Sequence, residues 1–169
     1  MGNVKVIMKG KLLGVTKEQR RLPNGHTCDL EIVQHPGAAL VVPFVSKDKV
    51  ILLKQFRPVI NSYIYELPAG TLEKKETPLA CAKREMIEEI GYCAKKITKL
   101  GFIYPLPGYC TEKITVFRAD GLEARERILQ KDEIIFPYVF SKKQVKEFFR
   151  NGKIVDSKTI CAFALCGWL

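Results

Sequence analysis

The sequence predicts an α/β/α sandwich preceded by a small N-terminal antiparallel β piece. Segments that alternate apolar and polar residues, or run apolar for a strand's length, are interleaved with three that open on a helix-capping residue. A turn signal at Pro36-Gly37 separates residues 1–37 from a main domain over 38–169. A piece of about 35 residues has too little core to stand alone and must pack on something.

In chain order, Val4–Leu13 reads as a strand, and a second follows the turn Pro23-Asn24-Gly25, with Cys28–Gln34 alternating. Ala38–Val45 and Val50–Gln55 read as a buried hairpin around Ser46–Lys49. Tyr63–Leu67 is a short strand leading into Pro68-Ala69-Gly70. Thr77 followed by Pro78 reads as an N-cap with proline at the first helical position, and Gly91 reads as the stop. A helix of about 14 residues lies between them, with Leu79, Ala82, Met86, Ile87 and Ile90 as the side to be buried against a sheet. Strands follow at Ile97–Tyr104 and Lys113–Ala119. Ile134–Phe140 is a strand interrupted by Pro137, which places it at an edge or a bulge. Ser141 caps a helix to Arg150, ended by Asn151-Gly152. Asp156 or Ser157 caps the last helix, whose TICAFALCGWL is apolar nearly all round and is expected to be well buried.

The net charge is +10, from 28 basic and 18 acidic residues. The lysines are scattered, with no block of like charge, so no nucleic-acid partner is expected. A basic surface also draws in polyanionic small molecules such as nucleotide diphosphates. No apolar run reaches the ~20 residues of a membrane span, so no membrane partner is expected. The N-terminus alternates instead of forming a signal-peptide core, which implies the cytoplasm. Cys28, Cys81, Cys93, Cys110, Cys161 and Cys166 form no CxxC pair and no zinc spacing, so free, largely buried thiols are expected. With His26 and His35 as the only histidines, no histidine-built triad or metal cluster is expected, and His35, in a His-Pro-Gly turn, reads as structural.

The stretch GTLEKKETPLACAKREMIEEIGY, Gly70 to Tyr92, concentrates the chemistry. Glu85, Glu88 and Glu89 sit at i, i+3 and i+4, so their carboxylates share one face of the helix. Like charges at these spacings repel, and a helix C-terminus already carries negative partial charge. A divalent cation preferring oxygen ligands is the simplest relief; Mg²⁺ fits carboxylates combined with substrate phosphates. For the three glutamates alone, a solvated acidic face is the ordinary reading. The wider pattern is more specific: Gly70, Glu76, Arg84-Glu85, Glu88-Glu89 and Gly91, at their spacings, reproduce the Nudix box. Seven such matches arise by chance at roughly 10⁻⁸ per start point. The chain therefore resembles a Nudix hydrolase, departing only at Tyr92, where the family usually has an aliphatic residue.

That resemblance implies the Nudix-type α/β/α sandwich with a mixed sheet, and a diphosphatase. It makes Glu85, Glu89 and the carbonyl of Ala69 the metal ligands, with Mg²⁺ as cofactor and Mn²⁺ as a possible substitute. Glu88 would bind a further ion or orient water, and Glu76 with Arg84 would form a structural salt bridge holding the loop on the helix. Gly70 and Gly91 are structural positions of the same motif. Gln55-Phe56-Arg57, Glu66-Leu67-Pro68-Ala69-Gly70 and Pro107-Gly108-Tyr109-Cys110-Thr111-Glu112 look like segments of the ADP-ribose pyrophosphatase branch, as does Ile154-Val155-Asp156-Ser157-Lys158-Thr159. Leu106 replaces that branch's usual serine.

By this resemblance Arg57 binds the diphosphate or ribose side of the substrate and Glu112 the ribose side. Glu133 is the position for the proton acceptor, with Asp132 or Glu88 as substitutes. The implied reaction is Mg²⁺-dependent hydrolysis of ADP-ribose to AMP and ribose 5-phosphate. The alternatives are another nucleoside diphosphate derivative, either a nucleotide sugar or a dinucleoside polyphosphate, or a non-catalytic ADP-ribose sensor. Sensors tend to lose the box carboxylates, and this chain keeps them. The branch usually forms homodimers in which N-terminal strands swap, the role expected here for residues 1–37.

Overall fold

Ala38–Ser46 (β4) carries an almost unbroken apolar run, as a strand covered on both faces must. Side chains alternate along a strand, so Leu40 and Val42 enter one core while Ala39 and Val41 enter another, all four fully buried. The computed structural model describes residues 4–129 and 133–169. The chain forms two compact units, one holding the residues up to Gly37 together with Tyr104–Lys113, the other Ala38–Ile103 and Ile114–Leu169.

The first unit carries an antiparallel sheet of three strands in sequential order, Val4–Lys9 (β1), Gly14–Arg21 (β2) and Thr27–Gln34 (β3). The single long strand expected to Leu13 is therefore corrected. The chain turns at Gly10, whose N–H donates to the Leu13 carbonyl at 2.8 Å, and β2 follows. At the next turn Gly25 takes a φ of 86°, open to glycine without strain. Within this unit Val33 donates to the Tyr109 carbonyl at 2.8 Å, and Thr111 donates to the Val33 carbonyl at 3.0 Å.

The second unit is a seven-stranded mixed sheet built on the order β10-β5-β4-β9-β8. Its strands are β4, Lys49–Arg57 (β5), Ser62–Glu66 (β6), Ala69–Thr71 (β7), Tyr92–Ile103 (β8), Ile114–Ala124 (β9) and Ile135–Ser141 (β10). β4 and β9 run parallel and the other pairs antiparallel. Pro137 lies in β10 at the end of that order, where a missing N–H is tolerated. β4 and β5 pair at Phe44–Val50 and Ser46–Lys49, beyond which β4 pairs with β7 and β5 with β6. The cavity described below lies where these strands part.

Helices cover both faces. Pro78–Glu85 (α1) and the turn that continues it bury Cys81, Ala82, Met86 and Ile90 against Ala39, Val41, Ile51 and Leu53. On the other face Lys142–Arg150 (α2) and Ser157–Leu165 (α3) contribute Val145, Ala162 and Phe163, and Trp168 stacks on Phe163 with ring centroids 5.6 Å apart. Ser141 and Gln144 cap α2 reciprocally, and the Asp156 carboxylate caps α3 by accepting from Thr159 N–H at 3.0 Å.

Three packing expectations change. Leu79 is exposed and Cys81 takes its place in the core, because the buried stripe lies one step round the helix. α3 is covered on one face, leaving Cys161, Ala164 and Leu165 exposed. The six thiols are free, yet of them only Cys81 is buried. Among the described residues no helix is long and apolar enough to cross a membrane.

Candidate active site

The helix after Thr77 starts as its residues dictate: the Thr77 side chain accepts from Ala80 N–H at 3.2 Å, with Pro78 in the first turn. It does not end as a plain α-helix. Met86–Ile90 form a π-type turn, closed by Gly91 at φ 70°, whose N–H donates to Ile87 O at 3.0 Å. The wider turn separates the two glutamates that follow Glu85. Glu88 turns to Arg84, its Oε2 3.1 Å from Nη1, whereas Glu89 points inward and accepts the Ala69 N–H at 2.9 Å.

Arg84 organises the outer side. Its Nε and Nη2 each lie 3.0 Å from the Glu76 carboxylate, Nη2 donates to Thr71 O at 3.1 Å, and Nη1 reaches Glu85 Oε1 at 2.6 Å. Glu76 also accepts from Glu73 N–H at 2.9 Å, so one guanidinium ties the loop to the helix. The Arg84 hydrogen bond holds the Glu76 carboxyl below its usual range. Gly70 faces this cluster at very close range: a Cβ built there would stand 1.6 Å from Glu85 Oε1.

Glu85 and Glu89 are 5% and 2% exposed. Burial pushes the Glu85 carboxyl up to about 7, with Glu88 and Glu133 adding to the rise and Arg84 opposing it. Burial raises Glu89 well above its usual value too, followed by the charge of Glu85, against the Ala69 hydrogen bond. Arg84 offsets part of this at Glu85, and a further cation held by both carboxylates would relieve the rest. The donors are oxygens throughout, which fits a hard divalent ion. Among the described residues no group of three or more His, Cys, Asp or Glu forms a ready cage. Two carboxylates and a backbone carbonyl suit an ion that keeps its waters and takes the remaining ligands from phosphate.

These groups open on a cavity of about 290 Å³ lined by Gln55, Arg57, Ala69, Glu85, Glu89 and Glu133, among others. Arg57, at the end of β5, is held by Glu66 through Nε–Oε1 at 2.6 Å and Nη2–Oε2 at 2.7 Å. The cavity lining thus includes carboxylates suited to a cation and the guanidinium groups of Arg57 and Arg84, suited to an anion. A larger groove of about 680 Å³ along α2 is lined by Lys142, Lys143, Lys146 and Arg150 and offers no comparable chemistry. Of the predicted site residues, the second unit holds Arg57, Ala69, Gly70, Glu76, Arg84, Glu85, Glu88, Glu89, Gly91 and Glu133. Glu112 belongs to the first unit, 3.7 Å from His35 Nε2. Asp132 lies outside the described residues.

Sequence reasoning left Glu66 and Lys158 without a role. The Lys158 ammonium bonds Glu66 and also Asp156 Oδ1, at 2.8 Å. A glutamate set between Tyr65 and Leu67 in a strand was the available signal, since a buried carboxylate requires cations nearby.

Residues 34–160 match the NUDIX domain model. The chain belongs to the Nudix family. It is 39% identical over 158 residues to an ADP-ribose pyrophosphatase of Bacillus subtilis (strain 168), across 92% of this chain and 85% of that one. A methanol dehydrogenase activator of Bacillus methanolicus is 34% identical over 158 residues, with the same 92% and 85% coverage. A solved ADP compounds hydrolase has the same fold, with a TM-score of 0.82 at 21% identity, covering 97% of this chain and 89% of that one. This Nudix protein is accordingly an enzyme, a diphosphatase, of a family that in general uses a divalent metal. The family inferred from residues 70–92 is the one the comparisons return.

Proposed function

We propose that the protein hydrolyses the diphosphate of ADP-ribose to AMP and ribose 5-phosphate with Mg²⁺. The observation that carries this is the pair of buried carboxylates, Glu85 and Glu89, set against Ala69 and Gly70 and lining one cavity with the Arg57 guanidinium. The B. subtilis relative named ADP-ribose pyrophosphatase supports the substrate. Glu85, Glu89 and the Ala69 carbonyl would hold the ion, and Arg57 binds the diphosphate. A bound Mg²⁺ neutralises charge on phosphate oxygens and makes water a better nucleophile. Glu133, on the cavity wall, takes the proton of the attacking water, with Glu88 as the substitute. As the water oxygen bonds to phosphorus, the bridging P–O bond breaks and the second phosphate leaves. Gly70, Glu76, Arg84 and Gly91 keep the loop and helix in register.

Every residue given a role at the reacting centre addresses the diphosphate. A different nucleoside diphosphate derivative, such as a nucleotide sugar, is therefore the second reading. We also propose a homodimer, on the branch resemblance of residues 1–37, to be checked by light scattering. A panel of ADP-ribose, nucleotide sugars and dinucleoside polyphosphates, assayed with Mg²⁺ and with Mn²⁺, tests the assignment. The expected result is the highest kcat/KM for ADP-ribose, with AMP and ribose 5-phosphate as products. Turnover of another member with none for ADP-ribose overturns the substrate while leaving the reaction, and no hydrolysis of any member removes both.

A further inference from the structure

The geometry points to Lys158 as a positioning residue: acting through the Glu66 carboxylate, it fixes the Arg57 guanidinium and keeps its positive charge available to the diphosphate. This rests on the reading of Arg57 as the diphosphate ligand.

Glu66 is 1% exposed and grips Arg57 side-on, engaging Nε at 2.6 Å and Nη2 at 2.7 Å, which leaves Nη1 uncommitted to it. A guanidinium matched to one carboxylate has most of its charge cancelled before a substrate arrives. Here the carboxylate is shared, because the Lys158 ammonium bonds Glu66 Oε2 as well. Lys158 is held in turn by Asp156 Oδ1 at 2.8 Å. Asp156 is the N-cap of α3, where the positive end of the helix offsets its negative charge. The chain of charges thus runs from the helix end through Asp156, Lys158 and Glu66 to Arg57: two cations match two carboxylates, and the helix end offsets Asp156, so Glu66 is shared and not committed to Arg57 alone. The same turn also fixes the backbone, since Leu67 N–H donates to Thr159 Oγ1 at 2.9 Å and Thr159 is fully buried. Burial pushes the Glu66 carboxyl up, but Arg57 and Lys158 together outweigh it and hold it below its usual value. The Asp156–Thr159 stretch thereby gains a purpose that its resemblance to the branch left unassigned.

The test is steady-state kinetics on ADP-ribose with Mg²⁺ for the full chain and its variants Lys158→Met, Lys158→Gln, Lys158→Arg, Arg57→Ala and Arg57→Ala/Lys158→Met, with melting curves alongside. Lys158→Met should raise KM about fivefold to tenfold with kcat within about twofold, since ground-state anchoring is what it loses. Lys158→Arg should restore KM. In the double variant the Lys158 change should add nothing to Arg57→Ala, because the lysine acts through that arginine. Lys158→Gln keeps a donor to Glu66 while deleting the charge, and decides the matter should the methionine variant not fold. A wild-type KM in Lys158→Gln, or full additivity in the double variant, overturns the proposal. A wild-type KM in Arg57→Ala removes instead the reading of Arg57 on which it rests.

Discussion

Gly70→Ala is the sharpest probe of the site. The added Cβ would stand 1.6 Å from Glu85 Oε1, 2.1 Å from Cδ and 2.8 Å from Cγ, all below any real contact distance. Gly70 lies in β7 paired with Ala39, so alanine suits its backbone and the whole conflict falls on Glu85. That carboxylate must swing away, abandoning its 2.6 Å bond to Arg84 and its place beside Glu89. Overpacking of this kind costs about 1–3 kcal/mol. In a chain of this size each kcal/mol lowers Tm by about 2–4 °C, so a fall of roughly 2–12 °C is expected. Turnover should suffer far more, by about 10²–10³, if Glu85 holds the metal as proposed, because that oxygen has moved. Product release assayed at saturating Mg²⁺, with calorimetric melts, measures both. The control is Gly70→Ala combined with Glu85→Ala, where the methyl has room and the melting temperature should recover in a non-additive way. A single Gly70→Ala variant with wild-type turnover would mean that Glu85 does not sit against residue 70, and the site as drawn would be wrong.

Glu89→Gln should lower kcat by orders of magnitude while the melting temperature holds or rises, since the charge repulsion with Glu85 is relieved. Near-wild-type turnover would exclude Glu89 as a metal ligand. Arg84→Lys should destabilise the fold by about 1–2 kcal/mol in urea unfolding, because an ammonium cannot reproduce the two-pronged grip on Glu76. An unchanged midpoint would leave that ion pair without structural weight. The Glu66 carboxyl titrates lower in the folded protein than its usual 4.5, so its contribution is fully present above that value and drains away as pH falls through the lower folded value. Stability measured against pH should therefore steepen on the acid side in the wild type and flatten there in Glu66→Gln, and parallel curves would refute the linkage.

Legibility in the sequence followed how local the physics was. Thr77-Pro78, Ser141 and Asp156 announce their helices because a cap involves residues within three positions of one another, and the structure starts each helix there. β2 escaped notice because GVTKEQRR is largely polar, so neither alternation nor composition marks it as a strand. The exposure of Leu79 and of one side of α3 depends on which face the sheet covers, and no spacing in the chain encodes that. The box residues were readable because their pattern is dense and their charges are anomalous on one helix. Glu66 and Lys158 lie 92 positions apart, and only the fold brings their charges into contact.

The π-type turn at Met86–Ile90 bears on how this segment can change over time. Removing one residue between Glu85 and Glu89 would draw the Glu89 carboxylate one position nearer Glu85 along the helix and disturb its bond to the amide of Ala69. Substitution is therefore open at outward-facing sites, whereas residue number is not adjustable. Single-codon deletions across these five positions should yield inert proteins every time, even where the matching point replacements stay active.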